Sequence, residues 1–72
     1  MKELVRTNNP VLLSWLQSLL RQEGIGSFIF DSHMSVLEGS ANAIARRLMV
    51  IDDDYDMARD TMTEAGEGQH LV

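Results

Sequence analysis

Asp31, His33 and Glu38 stand close together in the run DSHMSVLEGSANA, residues 31–43, with Ser35 and Ser40 among them. Carboxylates, an imidazole and hydroxyls are the residue types of several chemistries. Asp31 and His33 are two apart, so a continuing strand would point both to one side, and Glu38 could close in after a turn. Three such ligands suit zinc or another divalent ion with one position left open. Against a metal, this spacing is common by chance, and the second histidine, His70, lies far off in the tail. Ser35 or Ser40 with His33 and either acid contains the types of an acyl-transfer triad. Geometry defines a triad, though, and nothing nearby supplies an oxyanion hole or a strand–turn–helix setting for a nucleophile. Acid–base work by paired carboxylates needs a closed cleft that shifts one pKa. A chain of 72 residues has little interior with which to build one. The residues therefore favour a non-enzymatic chain with no cofactor.

The other use of this stretch is recognition. It is a connection of about 15 residues, and connections of that length inside a small domain are usually functional or disordered. Met34, Val36, Leu37 and Ile44 give it apolar anchors. One alternative is a packed flap over an open sheet face, with His33 in a local hydrogen bond. The other is a binding surface for a protein or small effector, formed by Asp31, His33, Met34, Ser35, Glu38, Gly39 and Ser40 with Arg46 and Arg47 at the far end.

The bulk composition narrows the partners. The net charge is −5, with six basic and eleven acidic residues. Nucleic-acid binding needs clustered cations to replace phosphate counterions, and the one adjacent pair, Arg46-Arg47, is split by a strand onto opposite faces. No apolar run approaches the ~20 residues of a membrane-spanning helix. Asn8, Asn9 and Pro10 interrupt any signal-peptide layout early, so the expected location is cytoplasmic. The absence of cysteine removes disulfides, thiolate metal sites and thiol nucleophiles, and fits a reducing compartment.

The elements that must position these residues follow from periodicity. Lys2 to Arg6 alternates as a strand, with Leu4 facing one way and Glu3 and Val5 the other. Asn9 and Pro10 are a helix start, cap followed by first position. The helix runs to about Glu23, and Gly24 stops it. Leu12, Leu13, Leu16, Leu19 and Leu20 form its stripe, and Val11 and Trp15 widen the apolar arc to roughly 200°, more than one sheet face requires. That excess makes Val11 and Trp15 candidates for a subunit contact in a homo-oligomer. Ile25 to Asp31 reads as a second strand and Arg47 to Ile51 as a central third. Asp52, Asp53, Asp54 and Asp56 open a second helix, where aspartates cap amides and complement the dipole. Ile51, Tyr55, Ala58, Met62 and Ala65 are its stripe, and Gly66 ends it. Residues 1–66 form one domain, and 67–72 are a tail whose last four residues could add an edge strand.

A right-handed crossover with both helices on one face puts the third strand between the first and second. The fold class is thus α+β: a ferredoxin-like β-α-β-β-α(-β) sandwich with an antiparallel sheet and a last strand short or absent. The first strand then lies at an open edge unless the tail or another subunit pairs with it.

The segments KELVRTNNPVLLSWLQSLL, GIGSFIFDSHMSVLEGS and RRLMVIDDDYDMARDTMTEAG together resemble DUF2007, a bacterial family of small "putative signal transducing proteins". The most specific part is the D-x-H-M-S-x-L-E-G-S block followed by R-R-L-M-V. The resemblance implies a ferredoxin-like core related to the nitrogen-regulatory PII (GlnB-like) proteins, whose connection between strands two and three is the effector and partner loop. Residues 31–45 occupy that place. The family pattern carries glycine and proline shortly before R-R-L-M-V, where this chain has Asn42 and Ala45. The basic nucleotide-binding set of PII proteins is missing, so the resemblance does not extend to ATP. What it implies is a small regulatory binding module.

Overall fold

The computed structural model describes residues 1–31 and 46–72. Three strands and two helices follow in the order β1 (Lys2–Thr7), α1 (Pro10–Gln22), β2 (Phe28–Asp31), β3 (Arg46–Val50) and α2 (Tyr55–Glu64), with 3-10 turns at Asp52–Asp54 and Gly68–His70. The strand order is β1-β3-β2 with both pairings antiparallel. This is the expected ferredoxin-like α+β arrangement.

Local chemistry explains where the helices begin and end. Asn9 caps α1, its Oδ1 accepting from the amides of Val11 and Leu12 at 3.0 and 3.2 Å. At the other end Gly24 takes φ +76°, its amide donates to the Arg21 carbonyl, and the Ile25 amide reaches back to Leu20 at 2.9 Å. This left-handed cap brings Ile25 into the core beside Leu20. Ile25 therefore belongs to the helix exit, and β2 begins three residues later than the strand pattern suggests. Gly66 repeats the device after α2: at φ +79° its amide meets Thr63, and the Glu67 amide meets Met62 at 2.8 Å.

One core unites the layers. Leu4, Val5, Leu48 and Val50 from the sheet pack with Leu13, Leu16 and Leu20 of α1, Ile25, and Ala58 and Met62 of α2. Leu12, Leu19, Tyr55 and Leu71 pack at its rim. The two outer residues of the α1 arc do not join it: Val11 is 76% exposed and Trp15 48%. Ile51 and Ala65 also fall outside the α2 stripe and are exposed. Ile51 lies one residue beyond β3, which starts and stops a residue earlier than expected.

β1 departs from simple alternation. Glu3 opposes Met49 and Val5 opposes Leu48, so Leu4 is an extra residue in the strand. A bulge of this kind turns two successive side chains toward one face. Leu4 and Val5 are accordingly both buried, where strict alternation would have set them on opposite sides.

Of the last strand, expected short or absent, the tail supplies a single bridge. Leu71 makes an antiparallel bridge to Val5, and the Val72 amide donates to the Leu4 carbonyl at 3.1 Å. The outer edge of β1 is thereby partly paired. The aspartates before α2 serve differently from expectation. They form a 3-10 turn, and neither that turn nor α2 has a side-chain cap hydrogen bond. The Asp52 carboxylate instead meets the Met1 amino group at 3.0 Å, tying the start of β1 to the end of β3. Lys2 adds to this, its Nζ lying 4.8 Å from the centre of the Tyr55 ring.

Candidate functional site

Register assigns every sheet residue to a face, because directly opposed residues point the same way. The row Val5–Leu48–Ile29 faces the helices. The rows on either side of it face away: Glu3–Met49–Phe28 and Arg6–Arg47–Phe30. Both helices lie on the other side, so among the described residues these six side chains make the open face of the sheet. Its β2 side is aromatic and its β1 side charged.

Electrostatics order the charged side. Arg6 and Arg47 are direct cross-strand neighbours, a like-charge pairing that is unfavourable alone. Glu3 answers it with two hydrogen bonds from Arg6, Nε to Oε2 at 2.7 Å and Nη2 to Oε1 at 3.0 Å. The Arg6 guanidinium holds the Glu3 carboxyl below its ordinary value through that bond; partial burial opposes, and the charges of Arg6 and Arg47 add to the lowering. The same contact raises Arg6.

Arg46 and Arg47 fall on opposite faces, as one strand requires. Arg46 is opposed by Thr7 on one side and Asp31 on the other. Asp31 is the last residue of β2 and Arg46 the first of β3, so residues 32–45 leave and re-enter the sheet at one pair. His33, Met34, Ser35, Glu38, Gly39 and Ser40 lie outside the described residues. The metal reading through Asp31, His33 and Glu38 falls largely outside them too. Among the described residues, no three His, Cys, Asp or Glu are grouped to hold a metal. His70 sits beside Glu67, Nε2 to Oε2 3.4 Å. Val11 and Trp15 form an exposed ridge on α1.

Residue chemistry had not singled out Phe28, Phe30, Met49, Glu3 or Arg6. The signal was present as a period of two: Phe28, Phe30, Arg47 and Met49 alternate with Ile29, Leu48 and Val50 on the helix side. Near β2 a hollow lined by Gln17, Arg21 and Gly24 to Ser27 adjoins the start of the strand, and Gln17 Nε2 reaches the Ser27 carbonyl at 3.5 Å.

A three-stranded antiparallel sheet under two helices, with β3 in the middle and the fourth strand reduced to one bridge, defines a small ferredoxin-like α+β module. Within that class the chain belongs to the DUF2007 family, described as "Putative prokaryotic signal transducing protein", whose model matches residues 1–66. No curated protein matches the chain. The family description is that of a signalling protein and not of an enzyme. No helix among the described residues is long and apolar enough to cross a membrane.

Proposed function

We propose that the protein is a non-enzymatic regulatory module that contacts a protein or small effector through residues 31–45. Asp31, His33, Met34, Ser35, Glu38, Gly39 and Ser40 supply the recognition chemistry, with Arg46 and Arg47 at its base. One observation carries the reading. Asp31 and Arg46 oppose each other on paired strands, so a rigid sheet fixes both ends of the connection at one place. Binding residues on a connection held by a rigid scaffold lose less freedom on binding than those on a free chain. The signal-transducing description of the family agrees with such a role.

The test is an affinity capture from native extract with the full chain, beside His33→Ala/Glu38→Ala. The native chain is expected to retain specific partners that the double variant loses at least tenfold. A folded double variant that keeps every partner overturns the proposal.

A further inference from the structure

β2 is the edge strand of the sheet, and among the described residues no strand pairs with its outer side. The opposite edge, β1, is partly occupied by Leu71 and Val72. β2 also carries three successive large apolar residues in partial contact with solvent: Phe28 at 43%, Ile29 at 38% and Phe30 at 41% exposed. Such an edge, without lysine or proline to guard it, is a template for another strand. Phe28 and Phe30 face the open side and Ile29 the helix side. A partner lying on either face would cover only one set. A strand added alongside covers both.

We propose that this strand is β2 of a second copy, paired antiparallel about a two-fold axis at Ile29 to give a continuous six-stranded sheet. The F-I-F sequence is its own reverse, as an isologous contact requires. In this register Phe28 opposes Phe30 of the second copy, twice, on the open face, and Ile29 opposes its own equivalent on the helix face. Aromatic and β-branched cross-strand pairs of this kind are favourable. A slip of one residue would set Ile29 against Phe28 and bring an open face beside a helix face.

Charge agrees with the same partner. Seven of the eleven acidic residues lie between Asp52 and Glu67, and they travel with α2, which packs over β1 rather than β2. Most of the acidic charge of each chain is therefore kept away from the seam, to which each copy brings Asp31. The two-fold register also brings position 31 of the second copy opposite Ser27, and does so at both ends. A seam of five residues from each copy, 27–31, is short, so the dimer is expected to dissociate on the order of 10–500 µM.

Sedimentation equilibrium of the full chain from roughly 10 µM to 1 mM tests this. The weight-average mass is expected to rise from the monomer value toward twice it. Ile29→Lys places like charges face to face and is expected to hold the mass at the monomer value throughout. The chain has no cysteine, so Ile29→Cys gives a single reporter thiol, with Val11→Cys on the α1 ridge as control. Mild oxidation is expected to cross-link Ile29→Cys at least tenfold faster. A native chain that stays monomeric at the highest concentration overturns the proposal. So does a dimer that survives Ile29→Lys, or faster cross-linking through Val11→Cys, which would move the contact to the helix ridge. Should Ile29→Lys fail to fold, the cysteine pair decides alone.

Discussion

Glu3 and Arg6 lie three apart in one strand, yet they grip each other through two hydrogen bonds on the same face of the sheet. In a regular strand residues three apart point to opposite sides. The extra residue Leu4 shifts the alternation by one and makes the contact possible. The same bulge buries Leu4 beside Val5, so one backbone irregularity serves the core and the open-face ion pair together.

This pair makes stability depend on pH in a defined direction. The folded Glu3 carboxyl has a lowered pKa, chiefly from its Arg6 hydrogen bond, so the folded state holds the proton less tightly than the unfolded chain. Its contribution is complete above the unfolded value of about 4.3 and is lost as pH falls through the lower folded value. Thermal melts of the native chain and Glu3→Gln at pH 7 and pH 3 are expected to differ at neutral pH and converge in acid. A difference that is unchanged or larger at pH 3 would contradict the assignment.

Capping divides two acid-and-amide clusters that look alike in the sequence. Asn9 accepts two helix amides, and Asn9→Ala is expected to destabilise by about 0.5–2 kcal/mol. Asp54 precedes α2 without a side-chain cap bond, and Asp54→Ala is expected to change stability by less than about 0.5 kcal/mol. Urea unfolding of the two variants measures both.

Backbone conformation, rather than space, restricts two glycines. A Cβ on Gly24 or Gly66 would meet nothing within 4 Å, but both have positive φ. Gly24→Ala and Gly66→Ala are each expected to destabilise by about 1–2 kcal/mol. Gly26 is equally open and has no positive φ, so Gly26→Ala is expected to be neutral or slightly stabilising. The three denaturation midpoints give the comparison.

The apolar arc of α1 divides in the same way. Leu16 is fully buried, and Leu16→Ala is expected to lose about 2–5 kcal/mol, enough to unfold much of so small a domain. Val11→Ala on the exposed ridge is expected to stay within about 0.5 kcal/mol of native. Circular dichroism during urea titration separates the two outcomes.

The sequence by itself determined the ends of α1, the stop of α2, the identity of β3 as the central strand and the α+β class. Asn9, Gly24 and Gly66 act through hydrogen bonds to residues a few positions away, and such signals are written in consecutive residues. Tertiary structure alone decided the bulge at Leu4, the pairing of Asp52 with Met1, the bridge from Leu71 to Val5 and the open face shared by Phe28, Phe30, Met49 and Arg47. Each joins residues far apart in the chain, and strand register, unlike helix spacing, is set only when a second strand arrives.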